Sequence, residues 1–177
     1  MYSKQLQVIL SDGWLANPWA IMVEGIVGTA LMTLFMYVLT YLTHRTMKVV
    51  KILGTMLTFS TSPTGQLSGK PLALVAGTAA HYTVGILFSY CFHLLWNMGI
   101  GQPDYLHSFL LGLAFGLFGS TVWYLFFKVH PNPPKVHLRP YLFSLLPAHL
   151  IFASGVIMTH HWIHIVVIPV QPLDLVP

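Results

Sequence analysis

Charged residues are scarce in this chain of 177 residues: Asp, Glu, Lys and Arg make up 7% of it, whereas hydrophobic residues make up 55%. An ordinary soluble domain carries about 25% charged residues. This shortage excludes a soluble globular domain and predicts an integral protein of the lipid bilayer. The net charge of +4 does not indicate nucleic-acid binding, because the eight Lys and Arg residues lie between apolar runs and not in one basic patch.

Cysteine occurs once, at Cys91. A single cysteine excludes an intramolecular disulfide and any cysteine-based zinc or iron–sulfur site within the chain. Also missing are a glycine-rich phosphate loop and a Ser-His-Asp or Cys-His arrangement in a convincing context. Only the histidines support an enzymatic activity, and we lean against assigning one.

Four apolar runs are long enough to span a membrane, and they cover residues 19–44, 72–96, 105–128 and 141–168. As a helix, residues 72–96 would reach roughly 37 Å, against about 30 Å for the hydrocarbon core. Apolar residues at helical spacing over residues 46–58 predict a short amphipathic interfacial helix after the first span. We therefore expect residues 1–177 to form a single, all-α membrane domain, a four-transmembrane-helix bundle.

Short matching strings suggest that the bundle consists of two repeated helical hairpins. The first and third spans contain GIVGTALMT and GLAFGLFGST, and the second and fourth contain AAHYTVG and PAHLIFASG. The alternative is that small residues recur wherever membrane helices approach closely. Both interpretations predict closely packed helices.

Basic residues are distributed asymmetrically between the connections. Seven follow the first and third spans, whereas only Lys4 lies on the other side; the seven are Arg45, Lys48, Lys51, Lys70, Lys128, Lys135 and Arg139. Lys and Arg are enriched in cytoplasmic loops. The distribution predicts that both termini lie outside the cytoplasm.

His81 and His149 lie within the second and fourth spans and should have nearly the same depth, about 12 to 14 Å from the cytoplasmic ends. An ionisable residue inside the membrane is a candidate functional residue. Two facing imidazoles would suit axial haem ligation, proton transfer or binding of a small ligand. The alternative is that each ring only hydrogen-bonds a neighbouring hydroxyl, carbonyl or water.

A second group of polar residues lies towards the outer ends of the spans. Glu24 is the only acid in any span, so it should face the bundle and find a donor. His160 and His164 share a helical face, a spacing that can bring two imidazoles to one metal ion. His93 is a third candidate metal ligand, and Glu24 could add a carboxylate. The alternative is that these histidines, with His107 and His161, are tolerated at headgroup depth.

Several motifs together resemble uncharacterised bacterial families, the four-span inner-membrane proteins similar to YagU. The motifs are GIVGTALMT, KILGTMLT, AHYTVGILFSY, GLAFGLFGSTVW and PAHLIFASG. The resemblance implies four spans and a location in the bacterial cytoplasmic (inner) membrane. It implies no substrate and no catalytic residues.

Three hypotheses for function follow. The first is a non-enzymatic membrane protein whose His81, His149 and Glu24 form a polar core, either for protons or a small ligand or for structure alone. The second is a redox or metal-binding membrane protein that holds haem or a transition metal. The third is an accessory subunit whose glycine faces pack against a larger membrane complex, or a homo-oligomer.

Overall fold

A computed structural model of the chain describes residues 17–163. This part of the chain folds into five α-helices: α1 Pro18–Thr43, α2 Val49–Leu57, α3 Pro71–Asn97, α4 Tyr105–Val129 and α5 Leu138–Trp162. The four long helices are apolar and long enough to cross a membrane. The all-α four-span architecture and the short helix after the first span are therefore confirmed.

The fourth span begins at Leu138, three residues earlier than the sequence predicted. Pro140 lies in the first turn of this helix. The first turn accepts this proline, because backbone N–H groups in the first turn of a helix have no intrahelical partner to lose. The predicted end of the span, residues 164–168, lies outside the described residues.

Polar side chains cap the N-termini of two of the long helices. The side chain of Asn17 accepts a hydrogen bond from the backbone N–H of Ala20 at the start of α1. The backbone N–H of His107 donates to Asp104 at the start of α4, and this bond holds the pKa of the Asp104 carboxyl below its usual value. Such caps satisfy N–H groups that the helix leaves unpaired.

The long helices form an open arrangement with α1 and α5 at its centre. Helix α1 packs on both α3 and α5, and α5 packs in addition on α4. Helices α3 and α4 meet mainly through phenylalanines: the ring centroids of Phe88 and Phe115 are 4.7 Å apart, and those of Phe92 and Phe115 are 5.1 Å apart. Beyond these rings a gap remains between α3 and α4.

Glycines set the distances between neighbouring helices. A methyl group added to Gly25 of α1 would lie 2.7 Å from the Cα of Ile86 in α3, and one added to Gly155 of α5 would lie 2.9 Å from the Cα of Gly28 in α1. In α4, the equivalent methyl on Gly112 would lie 2.7 Å from the Cβ of Ala153. Because these glycine faces are used within the chain, they do not support the accessory-subunit hypothesis.

Helix α2 packs against the beginning of α3. Its Ile52 and Met56 are completely buried, whereas Leu57 at its end is 43% exposed. The two backbones touch at Gly54 and Gly77: a Cβ atom on Gly54 would collide with the carbonyl of Ala73. This helix is therefore part of the bundle core as well as interfacial.

The connections that carry most of the basic residues meet at one end of the bundle. The backbone N–H of Lys135 donates to the carbonyl of Gly65 at 2.8 Å, and the hydroxyl of Thr61 donates to the carbonyl of Asn132 at 2.8 Å. We call this end the basic end. The connection between α3 and α4, residues 98–104, lies at the opposite end.

We predict that Gly54→Ala destabilises the protein, because its methyl group has no space beside the Ala73 carbonyl. Overpacking of this kind costs about 1–3 kcal/mol in the free energy of unfolding. Thermal unfolding in detergent measures the effect. Gly69→Ala is the matched control, since an added methyl there meets nothing within 4 Å; equal stability of the two variants would contradict the close crossing.

Candidate functional site

Glu24 is completely buried on α1 and joins three helices. Its Oε2 lies 2.5 Å from Nε2 of His93 on α3, and its Oε1 lies 2.9 Å from Nδ1 of His160 on α5. Both histidines are 1% exposed. We call these three residues the Glu–His–His cluster. As the sequence predicted, the acid faces the bundle interior and has found donors.

The partners of Glu24 indicate where the protons lie in this cluster. An ionised carboxylate only accepts hydrogen bonds, so Nε2 of His93 and Nδ1 of His160 both carry hydrogen when Glu24 is ionised. In the neutral ring, Nδ1 of His93 is then an acceptor. It is buried without a hydrogen-bond partner among the described residues, as is Nε1 of Trp96, whose ring centroid lies 5.0 Å from that of His93.

The cluster has the composition of a metal site. One ligand atom from each of Glu24, His93 and His160 lies within 4.8 Å of the others. Two imidazoles and one carboxylate suit zinc or iron(II), and three protein ligands leave a coordination position open. The sequence predicted His160, His164 and His93 as metal ligands, with a possible carboxylate from Glu24; the structure brings His93, His160 and Glu24 together, and metal binding stays a prediction.

Other histidines of the predicted outer group lie elsewhere. The Nδ1 atom of His107 lies 2.7 Å from the Asp104 carboxylate, at the start of α4. Nε2 of His161 donates to the carbonyl of Pro103 at 3.0 Å. Both therefore brace the connection between α3 and α4. His164, proposed as a metal ligand with His160, lies outside the described residues.

His81 and His149 line a different site, a cavity of about 350 Å³ between α3 and α4. Counted along their helices, they lie about 15 and 17 Å from the start of α3 and of α5, and hence at nearly the same depth. The walls are otherwise mostly apolar, and their aromatic members are Phe88, Phe118, Trp123 and Phe152. We call this site the lateral cavity. Glu24, which we grouped with this pair as a polar core, does not line it.

Each histidine of the lateral cavity uses one ring nitrogen for a bond within the bundle. Nδ1 of His149 donates to the carbonyl of Leu145 at 2.7 Å. Nε2 of His81 lies 3.0 Å from the hydroxyl of Thr33. These are the hydroxyl and carbonyl partners that the structural interpretation expected, and whether the rings also act as ligands stays a prediction.

Sequence reasoning missed Ser89, Trp96 and Thr33. Ser89 lies four residues before His93 and Trp96 three after it, so helical spacing places all three on one face of α3. The hydroxyl of Ser89 approaches Oε2 of Glu24 at 3.5 Å. For Thr33 only the tertiary structure identifies the partner, because nothing in the sequence pairs a residue of α1 with His81.

Comparison of the chain with protein-family models, with curated proteins and with solved structures gives no match. The resemblance to YagU-like proteins is not tested by these comparisons and stays a prediction.

We predict that Glu24→Gln lowers the free energy of unfolding by about 1–3 kcal/mol, the usual cost of leaving a buried donor unpaired. An amide offers one oxygen where the carboxylate offers two, so one imidazole N–H would face an NH₂ group. Denaturant unfolding in detergent measures the loss. The matched control is Asp104→Asn, a carboxylate that is 44% exposed; a loss in the control as large as in Glu24→Gln would count against a special role for Glu24.

Proposed function

We propose that this chain is a multi-pass membrane protein that binds one divalent transition-metal ion at the Glu–His–His cluster. The observation that carries the proposal is that both carboxylate oxygens of Glu24 meet imidazole nitrogens from two other helices, at 2.5 and 2.9 Å, in a fully buried position. A charged group buried at membrane depth is costly and is retained where it has a role. Coordination of a metal ion is a role that suits all three side chains.

Only small movements are needed for the cluster to admit a metal ion. Ligand atoms at about 2.0–2.2 Å from a tetrahedral zinc ion lie about 3.3 Å from one another. The ligand atoms of the three residues lie within 4.8 Å of one another, so each separation would change by less than about 1.5 Å. Rotation of the three side chains supplies a movement of this size without displacing the helices.

Binding also requires a change of tautomer at both histidines, because Nε2 of His93 and Nδ1 of His160 carry hydrogen while they donate to Glu24. A metal ion on Nε2 of His93 moves the ring proton to Nδ1, which the described residues leave without a partner. Metal-ligating histidines normally donate their second N–H to an acceptor. An ordered water beside His93 and Trp96 would serve as that acceptor and would also accept from the indole N–H.

When bound, the ion would link α1, α3 and α5 and would supply a Lewis-acidic centre with an open coordination position. The neighbouring groups decide what reaches that position. Trp96 is 5% exposed, and its ring lies 5.5 Å from that of His160. An aromatic wall of this kind excludes bulk water, so the site suits structural or regulatory binding better than hydrolysis.

Metal analysis tests the proposal. Full-length protein is purified in mild detergent, stripped with chelator and titrated with Co²⁺, whose visible absorption bands report tetrahedral nitrogen and oxygen ligation. We expect about one ion per chain, and at least tenfold weaker binding for Glu24→Gln and for His93→Gln. His107→Gln is the control, because His107 belongs to the same end of the bundle but not to the cluster. Absence of stoichiometric binding, or equal binding by all four proteins, would refute the proposal.

We infer in addition that the membrane is the bacterial cytoplasmic membrane and that the basic end faces the cytoplasm. The charge asymmetry of the connections supports this orientation, and the resemblance to YagU-like proteins supports the membrane. Both termini would then lie outside the cytoplasm.

Single cysteines test this orientation in a Cys91→Ser background. Gln66 lies at the basic end and Gln102 at the opposite end, and both are exposed. We expect a membrane-impermeant maleimide to label Gln102→Cys in intact spheroplasts and to label Gln66→Cys only after permeabilisation. The reverse pattern would invert the assigned orientation.

A further inference from the structure

We propose that the lateral cavity binds a membrane-soluble amphiphile with a hydroxyl-bearing aromatic head, of the quinol class, and that His81 and His149 accept its hydrogen bonds. This site lies apart from the Glu–His–His cluster and is independent of metal binding. The proposal rests on the position of the cavity, on the residues that line it and on which ring nitrogen of each of its two histidines carries the hydrogen.

The cavity opens sideways, towards the lipid. Three of its lining residues are substantially exposed on the outer surface of the bundle: Val84 is 44% exposed, Phe118 59% and Val122 46%. The inner wall contains Met32 and Phe152, which are buried. Because the exposed rim lies in the middle of α3 and α4, a ligand enters from the hydrocarbon, and this route selects apolar molecules.

The hydrogen bonds around His149 determine its tautomer. A carbonyl can only accept, so Nδ1 carries the hydrogen that is donated to Leu145. Nε2 is then a bare acceptor. It lies beside Gly119, another cavity-lining residue, because a Cβ atom on Gly119 would be 3.0 Å from Nε2.

A similar argument determines the tautomer of His81. The hydroxyl of Thr33 donates its single hydrogen to the carbonyl of Thr29 at 2.7 Å. We assign that hydrogen to the Thr29 carbonyl, the shorter of the two contacts, so that Nε2 of His81 donates to Thr33 and Nδ1 of His81 is an acceptor. The third polar side chain of the lining, Thr29, donates its own hydroxyl hydrogen to the carbonyl of Gly25 at 2.6 Å.

The two lining histidines thus offer one acceptor each, and the described lining residues add no hydroxyl donor; their one N–H donor outside the histidines is the indole of Trp123. An unpaired acceptor at lipid depth costs free energy, because hydrocarbon cannot donate to it. A ligand that donates hydrogen bonds removes this cost, whereas one that only accepts does not. The head group of the ligand therefore carries a hydrogen-bond donor such as a phenolic hydroxyl.

The aromatic walls favour an aromatic head. Phe88, Phe118, Trp123 and Phe152 surround the space, and the ring of Phe88 lies 6.0 Å from that of His149. Aromatic pairs gain free energy beyond the burial of their area. At about 350 Å³ the cavity belongs to the small end of ligand-binding pockets. A single substituted ring fits such a space, with its apolar tail leaving between α3 and α4.

A comparison of matched ligands on the unaltered protein is the first test. A decyl-substituted benzoquinol, its oxidised quinone and its dimethyl ether differ in donors but little in shape. Binding to the full chain in nanodiscs is measured as ligand retained per chain after rapid desalting. We expect the quinol to bind at least tenfold more tightly than the other two. Equal binding of all three ligands would mean that the cavity binds them through apolar contacts alone, and it would overturn the proposal.

Variants provide the second test. His149→Phe removes one acceptor while it keeps the ring volume, and Gly119→Ala places a methyl group 3.0 Å from Nε2 of His149. We expect at least tenfold weaker quinol binding for both. His107→Phe is the matched control, because His107 does not line the cavity, so this variant should bind quinol like the unaltered protein. Unchanged binding by both cavity variants, or a haem absorption band in the purified protein, would overturn the assignment.

Discussion

Hydrocarbon offers no hydrogen bonds, so every polar side chain inside this bundle must find its partner within the protein. Glu24 meets that requirement most strictly, because its carboxylate is completely buried and is matched by an imidazole from each of two other helices. The same requirement explains the hydroxyls of Thr29 and Thr33, which donate to backbone carbonyls one turn earlier on α1. These pairings restrict how α1, α3 and α5 rotate about their axes, and so they determine which residues face the interior.

Close backbone contact makes these pairings possible. Apolar side chains gain little by leaving lipid for a protein interior, so membrane helices associate through tight packing of small residues. Gly25 and Gly28 place α1 directly against α3 and α5, and this approach brings the Glu–His–His cluster together. Because α4 packs on α5 through Gly112 and meets α3 mainly through phenylalanine rings, a gap remains that becomes the lateral cavity.

The two histidine sites therefore differ in chemistry as well as depth. In the cluster, ring nitrogens converge on an anion, which attracts a proton or a metal cation. In the lateral cavity, His149 donates to a backbone carbonyl, His81 bonds to the Thr33 hydroxyl, and both rings line a mostly apolar space. One bundle thus combines a buried Glu–His–His cluster near the end opposite the basic end with a more accessible site near the middle of its long helices.

Much of this protein was determined by the sequence alone. Runs of apolar residues long enough to cross a bilayer specify four helices, since length and hydrophobicity act locally, and the cost of burying Glu24 in lipid already required it to face inwards. Depth along a helix follows from residue count, so the common level of His81 and His149 was predictable as well. Only the tertiary structure decided which helices are neighbours, because rotation and packing order depend on contacts between residues far apart in the chain. Those contacts placed Glu24 with His93 and His160 and not with His81, and they assigned the free nitrogen of each cavity histidine.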